Sequence, residues 1–248
     1  MLISCGVHCP EVTKPTNSTR RRRIHGRRLG KKLRPGQLAL FSDLLPSLRI
    51  PLEPGQTQML DLEVLFDPPR QNIWLEIGFG SGEHLVHQAE THPEIGILGC
   101  EPFINGMAKL LQTISRGAHA NIRIHDDDAR DVIGVLPTAS ISKLYLLYPD
   151  PWPKRRHHKR RFIQPDILID LARIMSDGAE LHFATDIPEL VDWTFLQMQH
   201  ETKFSWSASS AQDWRQPFPD WPGTRYEAKA LREGRTPVYL TFVRAERA

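Results

Sequence analysis

The chain is short of cysteine, with only Cys5, Cys9 and Cys100 in 248 residues. An odd and sparse set does not make a disulfide framework, and it fits a reducing cytoplasm, the expected location. Long hydrophobic runs are also missing. No stretch approaches the ~20 consecutive apolar residues of a membrane span, so no membrane partner is expected. The first residues lack the basic, apolar and small-residue succession of a secretory signal. Cys5, His8 and Cys9 lie close together but have no fourth ligand, so no metal is expected. What is left, 40% hydrophobic and 25% charged, is ordinary for a globular protein. The length allows one large domain, or one domain and a tail.

The net charge of +3 hides a segregation. Residues 1–34 hold ten bases, among them Arg20–Arg23, Arg27, Arg28, Lys31, Lys32 and Arg34, against the single acid Glu11. A second run, Lys154 to Arg161, holds six bases and two histidines with no acid. The remainder has 16 bases and 28 acids. Clustered Lys and Arg suit polyphosphate, because neutralised phosphates release their counterions. The N-terminal run alone leaves nucleic-acid binding and a solvated or targeting role equally open.

Residues 1–35 have few large apolar side chains and read as a basic, flexible arm able to order on binding. Residues 36–248 read as the folded domain. A short helix is predicted near Gln37–Leu45. Strands are predicted at Ile73–Ile77, Ile95–Cys100, Ile122–His125, Ser142–Tyr148, Glu180–Ala184 and Val238–Val243. Helices are predicted from Gly82 to Thr91, through Met107–Ile114, from Pro165 through Met175, and over Pro188–Met198. Strands alternating with helices mean βαβ units and a largely parallel sheet.

Chemistry gathers at the strand ends. Gly78, Gly80 and Gly82 follow the first strand and open a helix. This spacing is not the dinucleotide G-x-G-x-x-G, because Glu83 stands where the third glycine would be, which disfavours a nicotinamide-dependent dehydrogenase. An acid at the helix start also opposes a pyrophosphate, so the turn suits a cationic cofactor, with Glu76 beneath it. Glu101 ends the second strand 19 residues after Gly82, where an acid reads ribose hydroxyls in nucleotide-binding α/β folds. Asp126-Asp127-Asp128 ends the third, where an acid reaches an adenine amino group. Any one of these carboxylates alone would be read as an ordinary strand-end or helix-capping acid. Together, at three successive carboxyl edges, they mark a ligand crevice.

The run Pro149-Asp150-Pro151-Trp152-Pro153-Lys154, continued by Arg155 to Arg161, resembles the P-D-P-W-P-K-[KR]-R-H-x-K-R-R signature of bacterial tRNA (guanine-N7)-methyltransferases. The resemblance extends to Gly26–Gln37, to Glu76–Gly82, to Glu101 and Asp128, to Thr185-Asp186 and to Thr224-x-x-Glu227-x-Lys229. It implies a Rossmann-like class I fold, a mostly parallel seven-stranded sheet with helices on both faces. It implies S-adenosylmethionine as cofactor, held by Glu76, Gly78, Gly80, Gly82, Glu101, Asp128 and Asp150, with Asp150 also catalytic. It implies tRNA as partner, methylated at N7 of a variable-loop guanine, in a monomer or homodimer. Lys154, Asp186, Thr224, Arg225, Tyr226 and Glu227 would bind the substrate. Arg156, His157, His158, Lys159, Arg160 and Arg161 would contact RNA. Tyr148 stands where the family often has Phe. The extra acids Asp126 and Asp127 leave open which aspartate meets the adenine.

The chemistry agrees. Guanine N7 has a lone pair and no proton, so an in-line attack on a sulfonium methyl needs no general base. The remaining work is alignment, exclusion of water and placement of charge. Asp150, Asp186 and Glu227 are the candidates to accept from guanine N1–H and its 2-amino group. Pro149 and Pro151 stiffen the turn that presents Asp150. Trp152 suits stacking on a base and wedging the loop equally well. A non-catalytic RNA-binding scaffold is disfavoured by the intact set of acids, and a small-molecule methyltransferase by the two basic segments.

Overall fold

The computed structural model describes residues 25–53, 55–117 and 119–247. Arg20–Arg23 and the Cys5, His8 and Cys9 group lie outside them.

The described chain begins with two short helices, α1 (Pro35–Asp43) and α2 (Leu45–Leu48). An alternating series follows: β1 (Ile73–Ile77), α3 (Glu83–Thr91), β2 (Gly96–Cys100), α4 (Ile104–Ile114), β3 (Ile122–His125), α5 (Ala129–Val135) and β4 (Ile141–Leu147). The second half carries α6 (Pro165–Ile174), β5 (Met175–Thr185), α7 (Pro188–Met198), β6 (Phe204–Trp206), α8 (Arg225–Arg232) and β7 (Val238–Arg244). All seven strands form one sheet in the order β3-β2-β1-β4-β5-β7-β6. β1 to β5 pair in parallel, and β7 runs antiparallel between β5 and β6. This is the expected mostly parallel seven-stranded α/β architecture.

The inner strands are apolar on both faces because helices cover both. Ile73, Leu75 and Ile77 of β1 pack with α5, α6 and α7. Trp74 faces the cluster that α3 and α4 build against β2 and β3. β2 carries Gly99 where α3 and its preceding turn come closest; a Cβ there would lie 2.3 Å from Leu85.

Besides α2 and α5, for which no helix was expected, three elements differ from expectation. Met175 leaves the helix and begins β5, which runs 11 residues, because α6 ends at Ile174 and the chain turns straight into the sheet. β6 has three residues, two of them exposed, too few to give an alternating pattern. α8 buries only Glu227 and Ala230, so it has no apolar stripe to read. Its signal was the capping box, in which Thr224 accepts from the Glu227 N–H and the Glu227 carboxylate accepts from the Thr224 N–H.

Candidate active site

The strand order reverses between β1 and β4, each with its own neighbours on the outer side. In open α/β sheets the ligand crevice forms beyond the carboxyl ends of such a pair. A cavity of about 640 Å³ opens there. Its floor includes Ile77, Gly78 and Gly80 from the turn after β1, and Leu146 and Leu147 from the end of β4.

Gly78, Gly80 and Gly82 all have positive φ, at 74°, 60° and 82°. Only glycine adopts this readily, so the turn depends on the residue type. A Cβ built on Gly78 meets nothing within 4 Å, so its bare backbone faces open space. One on Gly80 would lie 3.3 Å from the Tyr226 ring, which forms part of the cavity wall. Gly82 instead starts α3 against Leu110 and is not in the wall.

Glu101 is buried in the wall. Its Oε2 accepts from the Gly80 N–H at 2.6 Å and its Oε1 from the Phe103 N–H at 2.8 Å. Burial pushes its pKa up to about 6; the two N–H donors pull the other way, nearby Asp150 raises it and Arg225 lowers it. Each carboxylate oxygen keeps a lone pair for a hydroxyl.

The three aspartates after β3 separate clearly. Asp126 pairs with Arg49 at 2.7 Å and Asp127 with Arg28 at 3.0 Å. Asp128 caps α5 through the Arg130 N–H, pairs with the Arg130 guanidinium at 3.1 Å, and lines the cavity.

Asp150 closes the cavity from the β4 side. Loss of solvent around its carboxyl raises its pKa. The residues flanking its prolines, Tyr148 and Trp152, hold φ of 50° and 43°, uncommon for aromatic residues and a form of strain found at functional turns. Arg161 anchors the turn by donating from Nε to the Pro151 carbonyl at 2.9 Å.

Several expected site residues lie elsewhere. Glu76 is 2% exposed, with Oε2 2.7 Å from His84 Nδ1. Side chains alternate along a strand, so with Ile77 in the cavity wall Glu76 faces the opposite side of the sheet. Glu227 is spent on internal contacts. Its carboxylate accepts from Trp221 Nε1 at 2.7 Å, from the Thr224 N–H and from the Tyr239 hydroxyl. Asp186 is ion-paired with Arg235 and is outside the wall. Arg161, expected on RNA, is 2% exposed against the Trp193 ring, where it donates to the carbonyls of Pro151 and Glu189.

The rest of the basic run is on the surface. Residues 155–160 form a 3₁₀ helix. Lys154, Arg155, Arg156 and Lys159 are exposed and make no ion pair among the described residues. Arg160 lies over the Trp152 ring at 5.1 Å, and Lys159 and Arg160 reach the cavity rim. His157 packs edge-on to Trp152 and His158 to Trp193. Trp152 lines the cavity, with Arg160 over its ring and His25 and His157 edge-on to it.

Sequence reasoning missed the wall contributed by His25, Gly26, Phe103, Phe162 and Gln164. His25 and Gly26 belong to the expected arm, yet the His25 ring is 6.4 Å from Trp152 and a Cβ on Gly26 would lie 3.5 Å from Asp150 Oδ2. Nothing local in the sequence signals contacts between segments so far apart.

Comparison with known proteins agrees with this geometry. A family model described as "Putative methyltransferase" matches residues 70–240. The tRNA (guanine-N(7)-)-methyltransferase of Ruegeria pomeroyi is 50% identical over 243 residues, covering 95% of this chain and 100% of that protein. The protein of the same name from Bartonella quintana is 50% identical over 221 residues, covering 88% of this chain and 94% of its own. Among solved structures, the 16S rRNA methyltransferase KamB superposes with a TM-score of 0.54 at 16% identity, over 71% of this chain and 89% of that one, a likeness of fold. With half of its residues identical across nearly the full length of such relatives, the chain belongs to the tRNA (guanine-N7)-methyltransferase family.

Proposed function

We propose that this protein transfers a methyl group from S-adenosylmethionine to N7 of a guanine in tRNA. The observation that carries this is the meeting of two basic segments, more than a hundred residues apart in sequence, at the rim of one acid-lined cavity.

The cavity suits the cofactor chemically. It offers bare glycine backbone at Gly78 and Gly80, a carboxylate for the ribose diol in Glu101, and one for the adenine amino group in Asp128, while its cations Arg27, Lys159 and Arg160 belong to the two basic segments at the mouth. When bound there, S-adenosylmethionine supplies an electrophilic methyl group. Its volume lies within the ~300–1,000 Å³ common for small-molecule sites.

The chain's own groups supply orientation and charge. Asp150, raised in pKa and set in a stiff turn, accepts from the guanine edge and favours the positive charge that develops on the methylated ring. No residue has to remove a proton from N7. Tyr226 covers the glycine turn. Thr224, Glu227 and Asp186 act from behind: the first two cap α8 and so place Arg225 and Tyr226, and Asp186 holds Arg235 at the end of β5. Glu76 supports the turn through His84.

Lys154, Arg156, Lys159 and Arg160, with Arg27, Lys31 and Lys32 of the arm, contact tRNA phosphates, while His157 and His158 support them through Trp152 and Trp193. Phosphate contacts position the RNA, and one base turns into the pocket. Residues 36–248 form the catalytic domain and residues 1–35 the RNA-engaging arm. No helix among the described residues is long and apolar enough to cross a membrane.

The test is incubation with labelled S-adenosylmethionine and unmodified tRNA, followed by mapping of the modified base. Label at guanine N7 is expected; label on another base, or none, overturns the proposal.

A further inference from the structure

The turn Phe103-Ile104-Asn105 faces two ways. On one side the Phe103 N–H holds Glu101 Oε1 at 2.8 Å. On the other side the turn grips the arm. The Ile104 N–H donates to the Arg28 carbonyl at 2.8 Å. The Asn105 side chain then makes a two-way clamp: its Oδ1 accepts from the Gly30 N–H at 2.6 Å and its Nδ2 donates to the Lys31 carbonyl at 2.6 Å. A side-chain amide that satisfies both an N–H and a carbonyl of one passing segment fixes that segment's height and register.

Gly30 makes the clamp possible. A Cβ there would lie 3.0 Å from Asn105 Oδ1 and 3.2 Å from the Phe103 ring. The Arg28–Asp127 pair adds a second anchor, but with side chains 47% and 35% exposed it is weak by itself. Held this way, residues 25–31 run from Asp150 and Trp152 across the cavity mouth to the start of α4 as a strap. The strap contributes no strand or helix and hides little of the core. Its exposed cations, Arg27 and Lys31, point to a role in binding phosphate.

We propose that Asn105 is a positioning residue: by clamping the strap onto the turn that holds Glu101, it makes tRNA binding at the arm and cofactor retention in the cavity mutually reinforcing. This rests on the function proposed above. Phosphates that engage Arg27 and Lys31 hold the strap down. A strap held down keeps Phe103 on Glu101 and covers the cofactor. By linkage, bound cofactor strengthens tRNA binding by the same factor.

The experiment measures S-adenosylhomocysteine binding to the full chain by calorimetry, with and without unmodified tRNA. It compares wild type with Asn105→Ala and Gly30→Ala, which break the clamp from opposite sides. In wild type, tRNA is expected to tighten S-adenosylhomocysteine by about tenfold. Both variants are expected to lose most of that coupling, and their KM for S-adenosylmethionine is expected to rise by more than their kcat falls. Coupling kept at the wild-type level in both variants overturns the proposal, as does its absence from wild type. If Asn105→Ala melts early, Gly30→Ala, altered outside every helix and strand, decides the matter. A wild-type chain that binds no S-adenosylhomocysteine overturns the underlying function and the strap with it.

Discussion

The two faces of the β1–β4 pair carry acids of opposite character. On the cavity face, Glu101, Asp128 and Asp150 keep accepting capacity turned toward a crevice. On the other face, Glu76 is held by His84 among Tyr145 and Trp221, and Glu227 by Trp221 and Tyr239. The back-face acids are enclosed among aromatic rings, whereas Glu101 and Asp128, although already bonded by Gly80, Phe103 and Arg130, border an open cavity. Burial without a cation requires hydrogen-bond donors, and the back face provides them from within the protein. On the front face the protein supplies donors too, but the remaining lone pairs border the cavity and are left for a ligand. An acid at a strand end is thus a ligand-binding group only if it is turned to the crevice and its protein partners leave a lone pair facing it.

The sharpest way to break this contrast is to remove one acid from each face. Asp150→Ala is expected to lower methyl transfer by roughly a hundredfold or more while the melting temperature holds, because orientation and electrostatics are lost but no packing is. Glu76→Ala is expected to do the reverse in kind, lowering stability by roughly 2–3 kcal/mol as buried His84 loses its partner. Thermal melts beside single-turnover rates check both, and an Asp150→Ala enzyme with near-normal turnover contradicts the assignment.

The basic run contains the same contrast on a smaller scale. Arg161→Glu sets a buried carboxylate against two carbonyls and is expected to cost about 3 kcal/mol of stability. Lys159→Glu, on the exposed side of the run, is expected to leave the melt unchanged, weaken tRNA and lower the slope of log K against log salt by about 1 per lost phosphate contact. Salt-dependent binding titrations separate the two outcomes. A stable Arg161→Glu chain with weaker tRNA binding would return Arg161 to the RNA surface.

Glu227→Gln probes the back face and, through α8, its link to the cavity. It is expected to cost about 1–2 kcal/mol through the Tyr239 and Trp221 contacts, and to weaken both tRNA and cofactor modestly by loosening α8, which carries Tyr226 over the glycine turn. Measured affinities for both ligands test this; a Glu227→Gln chain that melts normally and binds both as wild type contradicts it.

The smallest effect is one of pH. Burial raises the Glu101 carboxyl from 4.5 to about 6, so the folded chain keeps a proton that the unfolded chain has released. Between those two values, this group's contribution to stability falls as pH rises, by about 2 kcal/mol in total. Cofactor affinity runs the opposite way, because protonation removes an acceptor, and it is expected to fall as pH drops through about 6. Calorimetric titrations on either side of that value, with Glu101→Gln as the reference, check the sign.

Much of the architecture was legible along the chain. β1 to β4 are short apolar runs closed by turn residues, and their ends carry the glycines, Glu101, the aspartates and Asp150 in plain order. The basic run after β4 was equally plain, since its position on the carboxyl edge follows from a parallel sheet. Less visible were α8, whose buried face is two residues wide, and β6, which is too short to alternate.

The sequence by itself determined the fold class, the glycine turn, the acids at the strand ends and the family, since these depend on local residue type and on periodicity. Only the tertiary structure decided which acids remain for a ligand. Asp126 and Asp127 are taken by Arg49 and Arg28, 77 and 99 residues away, leaving Asp128 in the cavity wall. It also turned Glu76 to the back of the sheet, buried Arg161 and brought the arm to Asp150. Each of these depends on which distant group arrives to satisfy a charge, and that is set by packing across the sheet.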